Sequence, residues 1–195
     1  MLLDSAILLS DQGHEIICVA TAKPSLESEE GIEDFRTFAH EVGAKSVFGN
    51  DLFSDEMRNW LNSQSCDIAI SINWPILLTR EFRELFAFGV INLHAGDLPR
   101  YRGNACPNWA ILNGEHKMGL TVHVMDDDLD TGPILEKRYS KIGARTYVGD
   151  LYDFIFKNGP EMLCNSAEGL VEGRIKPRRQ ELEKLTPSRC FPRQP

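Results

Sequence analysis

The chain has 195 residues, which is enough for one ordinary domain. Hydrophobic residues make up 42% of it and charged residues 26%, and this globular composition excludes a disordered chain, a collagen-like repeat and a coiled coil. The net charge of −8 is unfavourable for binding nucleic acid or an anionic membrane, because both need local positive charge. We therefore expect no nucleic-acid partner and no membrane association.

The first residues and the cysteines are typical of a cytoplasmic protein. Asp4 follows Met1 closely and no Lys or Arg precedes Lys23, whereas a signal peptide begins with a basic segment and continues with an apolar one. The five cysteines are widely spaced and form no CxxC pair, so no metal site is expected. They are Cys18, Cys66, Cys106, Cys164 and Cys190.

Charge divides the chain into a body and a tail. Residues 174–195 carry a net charge of +5 and four of the ten prolines, and residues 1–173 therefore carry −13. We interpret residues 1–173 as one domain and residues 174–195 as its basic, proline-rich C-terminal tail. Such a tail is either a solvated segment or a contact for an anionic ligand.

The first half of the chain alternates helical and strand patterns. The apolar spacing predicts helices over residues 2–9, 31–42 and 54–61, with Gly13 beyond the end of the first and Ser54 as the N-cap of the third. Apolar runs predict strands over residues 15–20, 45–48, 66–71 and 89–93. This alternation predicts an α/β fold with a mostly parallel sheet and right-handed crossovers.

The pattern changes after Gly119. Residues 120–125 and 133–139 read as two adjacent strands, which predicts an antiparallel addition to the sheet. Their connection, residues 126–132, is strongly acidic. A long helix over residues 148–172 follows, and we expect Gly159-Pro160 to break or kink it.

Two segments carry side chains suited to catalysis. Asn92 and His94 lie two apart at the end of a predicted strand, so both project from one face, at the edge where open α/β sheets bind ligands. An amide beside an imidazole suits a reaction in which oxygen gains negative charge and nitrogen loses a proton. Asp130 could orient the imidazole. A structural histidine, and a solvated turn or a cation site at residues 126–132, are the alternatives.

Three ordered blocks resemble the folate-dependent formyltransferase family: Asn92-Leu-His94, Leu98-Pro-Arg-Tyr-Arg-Gly103 and Leu129-Asp-Thr-Gly132. The spacing of 36 residues between His94 and Asp130 also fits that family. The longer string from Asn92 to Trp109 looks most like the branch that formylates sugar nucleotides. The resemblance covers residues 2–192 and implies a Rossmann-like formyltransferase fold, with residues 1–173 as the catalytic domain.

The resemblance also implies roles for particular residues. It assigns Asn92, His94 and Asp130 as the catalytic triad, which would stabilise the oxyanion and relay a proton. The expected contacts with 10-formyltetrahydrofolate, the co-substrate, are Trp74, Pro75, Ile76, Leu77, Leu98, Asp126, Asp127, Asp128 and Leu129. The expected contacts with the acceptor are Tyr101, Arg102 and Gly103. The acceptor would be the primary amine of a nucleotide-linked amino sugar, and a homodimer is one possible assembly.

Other interpretations stay open. The acceptor could be methionyl-tRNA or another amine, water could replace the amine in a 10-formyltetrahydrofolate hydrolase, or the chain could be an inactive truncated member. The chain begins in a helix, whereas family members open with a strand, so the first strand is expected to be missing. A fragment, a misassigned start and a degenerate gene would each explain this.

Overall fold

The computed structural model describes residues 1–22 and 29–181. Helices and strands alternate as expected, and their order is α1 (Leu2–Asp11), β1 (Cys18–Thr21), α2 (Glu29–Glu41), β2 (Lys45–Phe48), a 3₁₀ helix (Gly49–Phe53), α3 (Asp55–Gln64), β3 (Ala69–Ser71), α4 (Arg80–Arg83), β4 (Val90–His94), α5 (Cys106–Leu112), β5 (Lys117–Val124), β6 (Ile134–Lys141) and α6 (Val148–Val171).

The strands form two sheets. β1 and β2 pair in parallel in one of them, while the other has the order β3-β4-β5-β6. β3 and β4 are parallel, and β5 and β6 add to β4 in antiparallel orientation. The α/β fold with a later antiparallel addition is therefore confirmed. A cavity of about 410 Å³ lies between β1 and β3 and is lined by residues of both strands.

Helix α6 forms the core with one face of the larger sheet. Its side chains at Leu151, Met162 and Leu163 are fully buried and pack with apolar residues of β4 and β5. The helix runs without interruption from Val148 to Val171, so Gly159-Pro160 does not break it, and that half of the expectation, a break rather than a kink, is wrong. Proline removes one intrahelical hydrogen bond, whereas burial of a whole helical face offsets that loss.

A second apolar cluster lies beneath the 3₁₀ helix, α3 and α4. Phe82 contacts Phe53 and Phe86 edge-on, with ring centroids 5.2 and 5.6 Å apart. The buried Val90 of β4 belongs to the same cluster, which therefore joins these short helices to the larger sheet. Within the described residues no helix is long and apolar enough to cross a membrane.

The first part of the basic tail belongs to the folded domain. Arg178 forms an antiparallel bridge with Ile134 at the start of β6, and its backbone N–H donates to the Ile134 carbonyl at 2.9 Å. Ile175 packs against Gly169, where an added Cβ would lie 2.6 Å from the isoleucine side chain. The rest of the predicted tail, residues 182–195, lies outside the described residues.

Candidate active site

The end of β4 places Asn92 and His94 on one face of the sheet, as the strand alternation requires. The His94 side chain is buried, and the following loop closes tightly over it. At Gly96 an added Cβ would lie 2.4 Å from His94 Nε2 and equally close to the Tyr101 carbonyl oxygen. A residue without a side chain is therefore needed at position 96 for the loop to reach the imidazole.

The hydrogen bonds of His94 define which ring nitrogen carries the proton. Nε2 lies 2.6 Å from the Tyr101 carbonyl oxygen, which can only accept, so Nε2 carries the hydrogen. In the neutral ring Nδ1 is then unprotonated, and it lies 3.5 Å from Asp130 Oδ2. Burial lowers the pKa of His94, although the Asp130 carboxylate opposes that shift. The imidazole is therefore neutral at pH 7, and Nδ1 can take up a proton.

Asp130 lies in the connection between β5 and β6 with a left-handed backbone, at φ 54°. The Gly103 backbone N–H donates to its Oδ2 at 2.8 Å. Burial raises the pKa of this carboxyl group, but contacts with His123 and His94 and the Gly103 hydrogen bond outweigh burial. The pKa of Asp130 is consequently lowered, and the group is ionised at neutral pH.

His123 is a site residue that the sequence analysis missed. In the antiparallel pair of β4 and β5 it stands opposite Asn92. Its Nδ1 lies 3.1 Å from the Val124 carbonyl oxygen and donates to it. Its Nε2 faces the Asn92 amide nitrogen at 3.2 Å and Asp130 Oδ1 at 3.6 Å. The structure therefore brings all three expected triad residues together, and His123 lies beside both Asn92 and Asp130.

The loop after β4 is held by its own polar contacts. Tyr101 is buried, and its hydroxyl donates to Glu115 at 2.6 Å and accepts from the Asn113 amide at 3.1 Å. Burial and the bond to Glu115 raise the pKa of Tyr101 to about 12. Cys106 at the start of α5 donates to the Tyr101 carbonyl at 3.0 Å. These contacts position the carbonyl oxygen that binds His94.

Gln180 is a second residue that the sequence analysis missed. Its side-chain nitrogen donates to the carbonyl oxygens of Asp130 and Gly132 at 2.9 and 2.8 Å. Its side-chain oxygen accepts two hydrogen bonds from Arg102, at 2.6 and 3.1 Å. The end of the described chain therefore connects the loop after β4 to the loop that carries Asp130.

The segment predicted to contact folate follows β3. Ile76 and Leu77 are each 53% exposed, which is unusual for side chains of this size. Trp74 is half-buried and contacts Phe53 edge-on at 6.1 Å, and Pro75 is exposed. Leu98, by contrast, is fully buried. Exposed apolar surface for a ring is thus present at residues 76 and 77.

The acidic loop is cross-linked by its own side chains. Asp127 forms ion pairs with Arg80 and Arg83 of α4, and the hydrogen bond from Arg80 lowers the pKa of this carboxyl group. Asp126 accepts a hydrogen bond from the Thr131 hydroxyl. In the same loop Asp128 is exposed and Leu129 is half-buried.

Gly132 fixes the loop's return to the sheet. An added Cβ at this position would lie 1.7 Å from the Val124 carbonyl oxygen, so the two backbones are in direct contact.

In the described part of the chain, no three His, Cys, Asp or Glu residues are grouped in a way that could hold a metal ion. The polar side chains that meet at the site are the amide of Asn92, the imidazoles of His94 and His123 and the Asp130 carboxylate.

Comparisons with known proteins show which family the chain resembles. The model of the formyl transferase family matches residues 3–166. A methionyl-tRNA formyltransferase of Clostridium tetani is 41% identical over 128 residues, which are 66% of this chain and 41% of that protein. The enzyme of the same name from Caldanaerobacter subterraneus subsp. tengcongensis is 33% identical over 187 residues, covering 91% of this chain and 59% of its own length. The chain thus spans about half the length of these relatives.

Solved structures share the fold at low sequence identity. Glycinamide ribonucleotide transformylase 1 from Geobacillus kaustophilus superposes with a TM-score of 0.71 at 18% identity, covering 86% of this chain and 90% of that one. WlaRD, a sugar 3N-formyl transferase solved with dTDP and 5-N-formyl-THF, gives 0.67 at 20% identity, covering 92% and 62%. Family match, fold and site geometry lead to one conclusion: the chain belongs to the formyl transferase family.

Proposed function

We propose that the protein transfers a formyl group from 10-formyltetrahydrofolate to a primary amine. The observation that carries this proposal is the geometry of the site. His94 Nε2 is bonded to a backbone carbonyl, its Nδ1 lies 3.5 Å from Asp130 Oδ2, and the Asn92 amide projects from the same face of β4. Burial lowers the pKa of His94, which favours the neutral ring. Such a set accepts a proton from an attacking amine and supports negative charge on oxygen.

Each group has a distinct part in this reaction. The bound folate supplies an activated formyl carbon. Asn92 donates an amide N–H to the formyl oxygen as that oxygen gains negative charge. His94 Nδ1 takes the proton that the amine loses, directly or through one water, and Asp130 stabilises the resulting imidazolium. His94 then returns this proton to the folate nitrogen as the bond between that nitrogen and the formyl carbon breaks, so tetrahydrofolate leaves and the amine keeps the formyl group. The Tyr101 carbonyl keeps the ring orientation throughout, because Nε2–H stays bonded to it.

The residues around the site fit a flat aromatic ring with polar edges. The exposed Ile76 and Leu77 offer apolar surface, and the loop at residues 126–130 offers backbone groups for the edges of a pterin. Trp74, Pro75, the carboxylates of the acidic loop and Leu129 complete the proposed folate contacts. Leu98 is left out of this set because its side chain is fully buried. Tyr101, Arg102 and Gly103 are proposed on the acceptor side, where Arg102 could balance phosphate charge.

For the acceptor we propose a nucleotide-linked amino sugar. The net charge of −13 over residues 1–173 is unfavourable for a tRNA. A second acceptor, methionyl-tRNA, is favoured by a different observation, since relatives at 33–41% identity carry that activity in their names.

A parallel assay distinguishes the acceptors. The chain is incubated with 10-formyltetrahydrofolate and, separately, a dTDP-amino sugar, a UDP-amino sugar, methionyl-tRNA or no acceptor, and release of tetrahydrofolate is measured. Release only with a nucleotide sugar supports the proposal. Release of tetrahydrofolate with methionyl-tRNA alone would show that methionyl-tRNA is the acceptor instead. Release without any acceptor would identify a hydrolase. Absence of release in all arms contradicts the proposed reaction.

A further inference from the structure

Helix α4 adjoins both segments that are proposed to contact folate. The exposed Leu77 of the first segment lies two residues before Thr79, which is the N-cap of α4. From the second segment, the acidic loop, Asp127 forms ion pairs with Arg80 and Arg83 of the helix. The helix therefore continues directly from one segment and is bound to the other by charged side chains.

The position of α4 is set by the apolar core. Phe82 is buried in the middle of the helix and contacts Phe53 and Phe86 edge-on, at 5.2 and 5.6 Å between ring centroids. Leu78, just before the helix, is buried in the same cluster. The Thr79 hydroxyl accepts the Phe82 N–H at 3.3 Å, which fixes the first turn. The arginines therefore extend from a backbone that the core holds in place.

The two halves of the acidic loop are held in different ways. In the second half, the Asp130 carboxylate accepts the Gly103 N–H at 2.8 Å, and the Asp130 carbonyl accepts from Gln180 at 2.9 Å. In the first half, Asp126 accepts hydrogen bonds that come from within the loop itself. Asp127, by contrast, bonds to side chains of α4. Asp127 therefore attaches the first half of the loop to the rest of the molecule.

The two arginines that bind Asp127 differ in burial. The Arg80 side chain is 64% exposed, whereas that of Arg83 is only 9% exposed. The hydrogen bond from Arg80 is the largest cause of the lowered pKa of Asp127, but water screens an exposed ion pair, which contributes little to holding a loop. The Arg83 Nε is buried without a hydrogen bond, and a buried charge that loses its partner is strongly unfavourable. Arg83 therefore holds the carboxylate more firmly than Arg80 does.

We propose, building on the folate site proposed above, that Arg83 is a positioning residue for the co-substrate. By pairing with Asp127 it fixes the distance between residues 74–77 and the loop at residues 126–130, and so sets the width of the gap in which the pterin binds. Arg83 acts through Asp127, because its own side chain is buried and its guanidinium is paired with that carboxylate. A loop held in its binding position before the ligand arrives does not have to be ordered when the ligand binds.

Hydrogen exchange of the chain without ligand tests the attachment of the loop. Arg83→Met keeps an apolar stem and removes the charge, and we expect amide exchange at residues 127–129 to rise about fivefold or more. Arg80→Met, which alters the exposed partner of the same carboxylate, is the matched control and should raise exchange less than about twofold. Asp127→Asn changes an exposed side chain and should act like Arg83→Met, which keeps the test valid if Arg83→Met fails to fold. Unchanged exchange in both Arg83→Met and Asp127→Asn would overturn the proposal.

Titration calorimetry with 5-formyltetrahydrofolate, a stable isomer of the co-substrate, tests the effect on the folate site. We expect Arg83→Met and Asp127→Asn each to raise the dissociation constant about tenfold, the double variant to raise it no further, and Arg83→Lys to recover part of the affinity.

Two outcomes would count against different statements. Weaker binding in Asp127→Asn with unchanged binding in Arg83→Met would show that Asp127 acts on folate without Arg83, and would overturn the proposal. Absence of binding by the unaltered chain would contradict the proposed function instead, and the exchange measurement would still decide whether Arg83 holds the loop.

Discussion

The two ring nitrogens of His94 face different acceptors, the neutral Tyr101 carbonyl and the charged Asp130 carboxylate. They therefore have different roles. Nε2 donates to the Tyr101 carbonyl, so proton uptake is left to Nδ1.

We expect His94→Ala and Asp130→Ala each to lower kcat for formyl transfer by about 10²- to 10⁴-fold, with little change in folate affinity. Steady-state kinetics with varied folate checks this. His116→Ala, which alters an exposed histidine, is the control and should retain activity; near-normal kcat in His94→Ala would refute the assignment.

The pH profile follows from the same burial. The pKa of His94 is lowered, so the base form persists below the ordinary value of 6.5. We expect kcat/KM to fall on the acid side only below pH 6.5, as Nδ1 becomes protonated. In Asp130→Asn the opposing carboxylate charge is lost, so the residual activity should show this acid limb at still lower pH. An acid limb above pH 6.5 in the unaltered chain would contradict a buried neutral imidazole.

His123 allows a test of how Asn92 is positioned. Its Nε2 is the observed partner of the Asn92 amide, and loss of one such bond costs about 1 kcal/mol. We expect His123→Phe to lower kcat about fivefold while the KM for folate stays nearly constant. His123→Gln supplies a side-chain oxygen as acceptor and should recover part of the rate. Equal rates for the two variants would show that the hydrogen bond does not position Asn92.

Among the site residues, the sequence predicted those whose relative position follows from the alternation of side chains along one strand. Asn92 and His94 share a face because they are two residues apart. His123 could not be found in that way, since its place opposite Asn92 depends on the register between two strands. Gln180 was equally hidden, because 50 residues separate it from Asp130.

Among the elements, α6 shows how tertiary packing overrides a local signal. Gly159 lies against Leu93 of β4, and an added Cβ would come within 2.7 Å of that side chain. We expect Gly159→Val to lower the free energy of unfolding by about 1–3 kcal/mol through overpacking. Gly149 on the same helix is exposed and has open space around it, so Gly149→Ala should be neutral or stabilising by up to about 1 kcal/mol. Urea denaturation of both variants measures the contrast, and equal effects would contradict it.

The segment after β3 offers an optical test of folate binding. With Trp60→Phe and Trp109→Phe in place, Trp74 is the only tryptophan left. We expect 10-formyltetrahydrofolate to change the emission of Trp74, because the proposed folate surface includes this segment. The same double variant carrying Ile76→Ser and Leu77→Ser should show a weaker response at equal ligand concentration. Unchanged emission at saturating folate would place the ligand elsewhere.

Helix boundaries were predicted best where a capping residue marks them. Ser54 caps α3 by accepting the Met57 N–H at 3.2 Å, and Gly13 follows α1 with φ 92°. α5 escaped prediction because it has only seven residues and follows a loop rich in glycine and proline. β3 is shorter than its apolar run suggested, since only residues 69–71 pair with β4.

For the whole molecule, we expect the separation of the strands into two sheets to limit stability. Each buried backbone group without a partner costs about 1–3 kcal/mol, while a domain's net stability is about 5–15 kcal/mol. We expect the 195-residue chain to melt with low cooperativity and to aggregate through its strand edges. Fusing a five-residue apolar strand ahead of Met1 through a short turn should raise the melting temperature and sharpen the transition.

A Gly/Ser extension of equal length is the control, because it adds chain without apolar side chains for the cavity between β1 and β3. Differential scanning calorimetry compares the three proteins. The expectation would be contradicted by a cooperative transition at an ordinary mesophilic temperature in the unextended chain that neither fusion changes. The gap between the two sheets would then have little effect on the free energy of unfolding.

Gln180 has a consequence for which substitutions the protein can accept. Its amide accepts from Arg102 with its oxygen and donates to two carbonyls with its nitrogen. Glutamate could only accept and lysine could only donate, and asparagine is one methylene shorter. In a saturation library selected for activity, position 180 should therefore tolerate almost nothing but glutamine while Arg102 is present. Variation at positions 102 and 180 should be correlated, although 78 residues separate them.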